Sequence, residues 1–408
     1  MYPHYSTFDT RMSKMSLTQN VYTSDFFLNY IKKLEEDILY DDQSQLKPNI
    51  QRKEYLDNSI YQGELDENCI RQGKGIYYYK KKNGNNQYEE VYAGDWKNNL
   101  FHGYGIYLFS SGERYEGQLQ FGQKNGKGTY FYANGNQYEG QWMNDLKEGN
   151  GVFYFTSFGE RYMGNFKDGV RHGQGSYYFK NGDIFNGNWA YGKKEGNGQI
   201  IFLNKSIFYG EWKNDFPNGN GKMIYYNGDI YEGNYIRGIK NEQGIYMYQE
   251  DQSTYQGNFI NDQPEGYGRY QYNTGEIYEG QIKNNKRHGK GIYNYKNGDI
   301  YNGEWKNDKK HGYGTLTLKN GNVYQGQFVF GYMKGIGKMT YENGDVYKGN
   351  WLKDQKYSNG EYIWATGQRY KGNWKNDKMN GKGVYQSINN KIYQGLWQED
   401  QFLNLYCY

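Results

Sequence analysis

The sequence predicts an all-β fold, an elongated twisted antiparallel β-meander of about fifteen β-hairpin repeats that one N-terminal helix precedes. Three observations predict it. An aromatic residue followed two places later by glycine recurs fifteen times, almost always after 23 residues. Each period holds two short stretches of alternating side chains, which is typical of strands. A turn dipeptide closes most periods. Such an array displays a long surface and usually lacks a catalytic cleft.

The repeat positions are regular along the chain. The aromatic starts are Tyr61, Tyr92, Tyr115, Tyr138, Tyr162, Phe185, Phe208, Tyr231, Tyr255, Tyr278, Tyr301, Tyr324, Tyr347, Tyr370 and Tyr393. Among the glycines that follow two places later are Gly94, Gly140, Gly187, Gly210, Gly303, Gly349, Gly372 and Gly395. Eight of the nine tryptophans stand four places after a start: Trp96, Trp142, Trp189, Trp212, Trp305, Trp351, Trp374 and Trp397. The ninth, Trp364, falls on an aromatic position of a second strand.

Strand alternation places glycines and rings on one face of the predicted sheet. Tyr92, Gly94 and Trp96 share a face of the first strand, and Gly103 and Gly105 share one with the aromatics of the second strand. A ring lying flat over bare glycine backbone would offset the weakness of glycine in strands. Dipeptides such as Asn227-Gly228 close the repeats, and we expect them to supply the positive φ angles of tight hairpin turns.

The part of the chain before the array divides into three segments. Residues 1–23 are predicted to be disordered. Residues 24–42 are predicted to form an amphipathic helix, because Ser24 can cap it and Phe27, Ile31, Leu34 and Ile38 form one apolar stripe. Residues 43–59 are predicted to be a polar linker, and the array fills residues 60–408, with a Lys/Asn-rich insertion at 80–90 in its first repeat.

Composition limits the partners. The net charge of +4 comes from interspersed positive and negative residues, which gives no nucleic-acid footprint. Cys69 and Cys407 lie at opposite ends of the array and are too far apart to bridge in an extended fold. No apolar signal-peptide core or run of about 20 apolar residues is present. We therefore expect a soluble protein of the reduced cytoplasm.

The motif Tyr301-Asn302-Gly303-Glu304-Trp305 through His311-Gly312-Tyr313-Gly314 resembles the MORN repeat (membrane occupation and recognition nexus), and the resemblance covers most of the chain. It implies a non-enzymatic scaffold for protein–protein assembly, often a homodimer, and sometimes binding of acidic phospholipid. The long, nearly pure array most resembles radial-spoke-head and cytoskeletal members. That implies a cytoskeletal or axonemal complex of the cilium; the alternative is a peripheral membrane scaffold that binds phosphoinositides or tethers membranes. Asn241-Glu242 and Tyr357-Ser358 depart from the His-Gly pair, which affects local turn geometry.

No residue pattern favours catalysis, a metal or a cofactor. His102, His172, His288 and His311 recur at one repeat position, and even the nearest pair is about 10 Å apart by strand spacing, so packing is the favoured role. Gly-Lys-Gly strings lead into strands rather than into the helix of a phosphate cradle. Carboxylates follow the closing glycines one per repeat, where they suit turns: Asp183, Asp229, Asp299 and Asp345. Turn lysines (Lys213, Lys306 and Lys375) are each followed by an aspartate that largely cancels their charge toward a membrane.

The face opposite the rings breaks the periodicity. On second strands it is apolar early in the array, at Ile106, Leu108, Phe131, Val152, Tyr154, Tyr178, Ile201, Ile224, Ile245 and Met247. Later it becomes polar, at Arg269, Gln271, Asn294, Thr317, Lys338 and Thr340. An exposed apolar stripe needs a cover. Either these residues bind a protein partner or a second copy, or the N-terminal helix folds back over part of them.

Overall fold

The computed structural model describes residues 24–43, 45–80 and 88–403. It consists of helix α1 (Ser24–Leu39) and an antiparallel meander of 31 strands, so the predicted fold class is confirmed. The predictions for residues 1–23 and most of the insertion at 80–90 lie outside the described residues, as does Cys407.

The strand bounds follow the predicted pairs. The strands are β1 (Ile50–Glu54), β2 (Ile60–Leu65), β3 (Arg71–Lys80), β4 (Tyr88–Lys97), β5 (Leu100–Leu108), β6 (Arg114–Gln120), β7 (Gln123–Phe131), β8 (Gln137–Met143), β9 (Leu146–Phe155), β10 (Glu160–Lys167), β11 (Val170–Tyr178), β12 (Ile184–Ala190), β13 (Lys193–Ile201), β14 (Ile207–Lys213), β15 (Phe216–Ile224), β16 (Ile230–Ile236), β17 (Ile239–Met247), β18 (Thr254–Ile260), β19 (Gln263–Gln271), β20 (Ile277–Lys283), β21 (Lys286–Asn294), β22 (Ile300–Lys306), β23 (Lys309–Thr317), β24 (Val323–Val329), β25 (Tyr332–Thr340), β26 (Val346–Leu352), β27 (Gln355–Ile363), β28 (Arg369–Lys375), β29 (Lys378–Gln386), β30 (Ile392–Gln398) and β31 (Gln401–Leu403).

The chain divides into two compact units. The first comprises residues 1–182 and 189–192, and the second comprises residues 183–188 and 193–408. In the first unit each strand from β1 to β11 pairs antiparallel with the next one along the chain. In the second unit the same sequential pairing joins β13 to β31.

The segment before the array differs from the prediction in two places. Helix α1 ends at Leu39, three residues before the predicted end, and the Nζ of Lys47 donates to the carbonyl of Ile38 at 3.0 Å beside this end. The predicted linker contains strand β1, which pairs with β2 from Ile50↔Glu64 to Glu54↔Ile60. The mostly polar sequence of β1 hid this strand, because an edge strand that faces water needs few apolar residues.

The hairpin β26–β27 shows the geometry of one repeat. Tyr347 pairs with Tyr362 and Gly349 with Gly360, and a bulge follows before Trp351. The Tyr347 ring is fully buried and lies over Gly349 and Gly360, where an added Cβ would stand 2.5 Å or less from its hydroxyl. Its Oη donates to the carbonyl of Asn350 at 2.9 Å. The glycine pair is therefore the seat of the ring, as the sequence pattern predicts.

The first unit repeats this arrangement at Tyr92. The ring is fully buried over Gly94 and Gly105, and its Oη donates to the carbonyl of Asp95 at 2.8 Å. The indole Nε1 of Trp96 donates to the carbonyl of Gly75 in the preceding repeat at 3.1 Å. Each tryptophan that donates in this way ties one repeat to the one before it. We call the side of the sheet that carries these rings the aromatic face, and the opposite side the back face.

A cation covers many of the buried rings, which the sequence analysis did not anticipate. The Nζ of Lys356 lies 4.8 Å from the ring centroid of Trp374 and 4.9 Å from that of Tyr362. Burial lowers the pKa of Lys356, and its ring neighbours offer the charge a favourable quadrupole. The same position, nine residues after the repeat start, holds Lys194 over Trp212 at 4.8 Å and Arg287 over Trp305 at 4.6 Å.

Each repeat has two turns, and the φ angles of the Asn-Gly turn differ in part from the prediction. In the Asn-Gly turns only the glycine has a positive φ, as at Gly228 (φ 90°), because the turn is a three-residue loop that closes with a glycine bulge. Both central residues have positive φ in the other turn, as at Asn376 (φ 49°) and Asp377 (φ 68°). The tight two-residue hairpins are therefore the Asn-Asp turns, and the prediction for the Asn-Gly turns is confirmed for the φ of glycine and wrong for the φ of asparagine.

The departures from the His-Gly pair keep the local geometry at a cost in strain. The bulge glycine normally adopts a positive φ, as at Gly103 (φ 59°). Glu242 (φ 59°) and Ser358 (φ 56°) adopt the same conformation although each carries a Cβ. The register of both hairpins continues unchanged beyond these residues.

Candidate interaction surface

The histidines occupy packing positions on separate strands. The ring of His102 meets Phe121 edge-on at 5.9 Å, and that of His311 meets Phe330 at 5.7 Å. Within residues 24–43, 45–80 and 88–403, no group of three or more His, Cys, Asp or Glu side chains could hold a metal ion. The imidazoles therefore contribute to contacts between a repeat and the next turn, the role that the sequence favours.

The carboxylates that follow the closing glycines bind the next repeat. Asp345 accepts the backbone N–H of Ala365 at 2.8 Å through Oδ1 and the hydroxyl of Tyr362 at 2.6 Å through Oδ2. Hydrogen bonds from Tyr362, Ala365 and Asn343 lower the pKa of Asp345, outweighing the opposing effect of desolvation. Asp229 makes the same pair of contacts with Gln249 and Tyr246. These oxygens are occupied by structural hydrogen bonds.

The aspartates of the Asn-Asp turns bind the preceding repeat at the other edge. Asp377 accepts the backbone N–H of Lys356 at 2.9 Å, and its own N–H donates to the Lys356 carbonyl at 3.3 Å. Asp308 makes the same two contacts with Arg287. The sequence predicts that the aspartate two places after each turn lysine largely cancels the charge of that lysine. In the structure, this aspartate also links its repeat to the preceding one through two reciprocal hydrogen bonds.

The polar residues of first strands on the back face serve the bulge. The Oε1 of Gln118 accepts the backbone N–H of Lys127 at 2.7 Å, and the Oδ2 of Asp95 accepts that of Tyr104 at 2.8 Å. These acceptors bind N–H groups beside the bulge, where the register between the paired strands shifts. The polar side chains of this row therefore have a structural role, and a binding surface on the back face would be formed by the neighbouring rows.

Helix α1 covers the start of the back face. Ile31, Leu34 and Leu39 pack with Ile76, Tyr78, Val91, Ala93 and Leu108 in one buried cluster, to which Ile106 is partly attached. Leu108 is only 4% exposed. Ile106 and Leu108 are therefore removed from the predicted partner surface, because the chain's own helix occupies it. The alternative of a folded-back helix holds for these two residues.

Farther along the first unit, the back face alternates rings with arginines. The guanidinium carbon of Arg114 lies 3.9 Å from the ring centroid of Phe131, and that of Arg161 lies 4.2 Å from the ring centroid of Tyr178. Tyr154 pairs with Gln137 on one side and with Arg161 on the other. Phe131, Val152, Tyr154 and Tyr178, which we call the ring stripe, are partly exposed and lie on β7, β9 and β11.

The second unit carries a continuous apolar row on its back face. Five residues at paired positions on the adjacent strands β13 to β17 form it, and we call them the isoleucine row: Ile201, Ile207, Ile224, Ile230 and Met247. All five are partly exposed. Ile245 (38% exposed) and Tyr209 (41% exposed) widen the apolar area beside them. The row ends at the pair of Met247 with Thr254, which is followed by Gln271. Beyond them, apolar and polar residues alternate at these positions: Ile277, Asn294, Ile300, Thr317, Val323 and Thr340.

Sequence reasoning missed two members of this row. Ile207 and Ile230 stand one place before a repeat start, on first strands, whose back face the sequence predicts to be polar from the residues three places after each start, such as Gln118 and Glu211. The pairing of Ile207 with Ile201 and Ile224 follows from hairpin register, so the signal was present in the sequence. In the first unit the corresponding positions are apolar in the first two repeats, at Ile60 and Val91 in the cluster with α1, and polar or charged after them, at Arg114, Gln137 and Arg161.

The chain belongs to the MORN-repeat family. The family model of the MORN repeat matches thirteen successive segments, from residues 92–114 to residues 370–391. The repeat that starts at Tyr61 precedes the matched segments, yet its ring is equally buried, with Gly63 and Gly75 beneath it. None of the curated proteins matches the chain.

The solved structures that match the chain have low identity and low TM-scores. The TCP10 domain of Danio rerio CPAP in complex with a peptide of Danio rerio STIL is 11% identical, with 50% of this chain and 96% of that chain covered and a TM-score of 0.31. The TCP domain of Drosophila melanogaster SAS-4 (dCPAP), in complex with a proline-rich motif of Ana2, is 13% identical. There the coverage is 49% of this chain and 90% of that chain, with a TM-score of 0.24. Among the described residues, no helix is long and apolar enough to cross a membrane.

Proposed function

We propose that this MORN-repeat chain is a non-enzymatic scaffold whose isoleucine row binds a protein partner. The observation that carries the proposal is the unbroken run of five apolar side chains on β13–β17, without a covering element among the described residues. An analogy within the first unit supports the proposal, since Ile31 and Leu34 of helix α1 pack on the back face of β3–β5. Contiguous apolar patches rimmed by polar groups are typical of protein-binding sites.

The rim of the row suits a protein more than a bilayer. Lys222 and Glu232 form an ion pair of 3.4 Å beside the row, so neither sign of charge dominates there. A mixed, polar rim around an apolar centre is the usual anatomy of a protein interface. The proposed partner therefore presents apolar side chains, and the proposed setting is a cytoskeletal complex, with the ciliary axoneme and its radial spokes as the specific hypothesis.

The experiment uses a full-length tagged variant that carries both Ile201→Ser and Ile224→Ser. It is compared with a control variant that carries two isoleucine-to-serine substitutions elsewhere on the same face. Losing two buried isoleucine contacts at about 1.4 kcal/mol each should weaken partner binding about 100-fold. The control variant carries Ile277→Ser and Ile300→Ser, which lie in the region where polar residues alternate. Proteins that the parent chain captures from cells should be lost with the Ile201/Ile224 variant and kept with the control variant. Equal capture by both variants would contradict the proposal.

One observation favours a second candidate, a peripheral membrane scaffold that binds acidic phospholipid. Lys338 and Lys348 pair directly across β25 and β26, so two like charges face the same side of the sheet. Lysines near an anionic bilayer contribute about 1 kcal/mol each where they cluster. Sedimentation with vesicles of phosphatidylcholine alone, or with added phosphatidylinositol phosphate, separates the candidates. Salt-sensitive pelleting with the anionic vesicles supports the membrane candidate, and retention in the detergent-extracted cytoskeleton supports the first.

A further inference from the structure

Helix α1 runs across the strands of the first unit in a defined direction. In its N-terminal half, the Oη of Tyr30 donates to the Oε1 of Glu116 on β6 at 2.7 Å. Nearer its C-terminal end, Glu35 accepts the hydroxyl of Tyr78 on β3 at 2.5 Å. Followed from its C-terminal half toward its N-terminus, the helix therefore runs from β3 to β6, in the direction of the strands that come after β6. In the sequence, residues 1–23 precede this end of the helix.

The ring stripe adjoins the contacts that Tyr30 of helix α1 makes. Arg114 lies between them, with its guanidinium carbon 5.2 Å from the ring centroid of Tyr30 and 3.9 Å from that of Phe131. The same arginine forms an ion pair with Glu116 at 2.7 Å. The contact surface of α1 is thus continuous with Phe131, the first residue of the stripe. Beyond it lie Val152, Tyr154 and Tyr178 of the stripe, and Met163, which is 42% exposed.

The first 23 residues contain groups that complement this surface. Tyr5, Phe8, Met12 and Met15 are spaced by three, four and three residues, a spacing that can place apolar side chains on one side of a segment. Arg11 and Lys14 stand among them. Exposed Glu139 lies on β8, paired with Thr129 and Val152 of the adjoining strands, and supplies negative charge beside the stripe.

The segment is long enough to span the stripe. The distance from β6 to β11 is five strand spacings, or about 24 Å. Twenty-three residues cover about 35 Å as a helix and about 75 Å when extended. Covalent attachment to α1 also removes much of the entropic cost of binding, because the segment is held at a high effective concentration near the stripe.

We propose that residues 1–23 bind the ring stripe of their own chain, continuing the cover that α1 begins. The stripe is then an internal docking site, while the isoleucine row of the second unit stays open for a partner. A protein that binds the stripe has to displace the segment first. This inference is independent of the partner proposed for the isoleucine row.

Disulfide trapping in the full-length chain tests the occupant. Cys69→Ser and Cys407→Ser remove the native thiols, and Met12→Cys with Val152→Cys places one new thiol on the segment and one on the stripe. Oxidised glutathione should give a monomeric cross-linked product at least about fivefold faster than in a control with Met12→Cys and Val384→Cys. Val384 is the matched position, because it occupies the same repeat position on β29. A dimeric product alone would assign the site to a second copy and overturn the proposal.

Thiol labelling supplies a second measurement that does not require cross-linking. In the full-length chain with Val152→Cys as the single thiol, labelling should be about tenfold slower than in the same chain with Phe8→Ser, Met12→Ser and Met15→Ser. Tenfold protection corresponds to about 1.4 kcal/mol of docking free energy. A control with Ser13→Ala and Ser16→Ala should keep the protection. Equal labelling rates in all three chains would overturn the proposal.

Discussion

Replacing Gly360 by alanine tests whether the glycine pair is the seat of the tyrosine ring. A Cβ at this position would stand 2.3 Å from the Oη of Tyr347 and 2.5 Å from its Cε2 and Cζ. These separations are far below van der Waals contact, and the strand pairing of Gly360 with Gly349 prevents the backbone from retreating. The ring has to leave its position, and we expect the hairpin β26–β27 to lose stability.

The structure sets the size of this loss. Overpacking a close-packed site costs about 1–3 kcal/mol. The displaced ring also loses the hydrogen bond from its Oη to Asn350, worth about 1 kcal/mol. Its edge contacts with Trp351 at 5.1 Å and Trp374 at 5.4 Å weaken as well. We therefore predict a loss of about 2–4 kcal/mol in the local free energy of unfolding.

Amide hydrogen exchange of peptides from β26 and β27 is the suitable assay, because repeat arrays open locally. Gly360→Ala should exchange about 100-fold faster than the parent chain. Gly367→Ala is the control, since its Cβ would meet nothing within 4 Å and only its positive φ (101°) costs stability. Tyr347→Leu removes most of the ring, so adding Gly360→Ala to it should cost less than about 1 kcal/mol. Full additivity of the two substitutions would refute the steric explanation.

Three further predictions concern strain, pH and charge. Ser358→Gly should raise the free energy of unfolding by about 1 kcal/mol in urea titrations, because Ser358 holds a φ of 56° that glycine adopts without penalty; a loss would contradict this. Stability should fall steeply above pH 10. Burial raises the pKa of tyrosines such as Tyr341, to about 12, so the unfolded chain releases these protons at lower pH than the folded chain, which stabilises the unfolded state relative to the fold; an unchanged urea midpoint from pH 9.5 to 11.5 would refute it. Lys338→Glu should raise the free energy of unfolding by about 0.5 kcal/mol, because it turns the repulsion from Lys348 into attraction. The increase should be smaller in 1 M salt, which screens the two charges.

Much of the fold follows from periodicity alone. The spacing of aromatic and glycine residues predicts the strand pairs, the shared face and the burial of rings such as Tyr347, since register and alternation leave one arrangement that seats each ring on bare backbone. The turn types did not follow. An Asn-Gly pair is compatible with both a two-residue hairpin and a three-residue loop, and the bulge geometry that decides between them depends on the paired strand.

The candidate surface could be predicted only in part. The apolar second-strand residues were visible in the sequence, but the cover that α1 places over Leu108 depends on how a helix of 16 residues docks, which periodicity does not encode. The row at Ile207 and Ile230 required the two strands of each hairpin to be combined. The roles of Lys356 above the rings and of Asp377 between repeats are contacts between distant positions, which no local motif reveals.

Photo-cross-linking from the isoleucine row tests the proposed function most directly. A photoreactive phenylalanine analogue is placed at Ile224 in the full-length chain in cells, and at Thr317 as the control on the alternating part of the same face. Ile224 and Thr317 are both partly or fully exposed and lie at the same repeat position on β15 and β23. We predict a specific protein adduct from the analogue at Ile224 and none from the analogue at Thr317. An excess of the untagged chain should reduce the yield of the Ile224 adduct. Equal adducts from both positions, or lipid adducts alone, would contradict the assignment of the isoleucine row as a protein-binding surface.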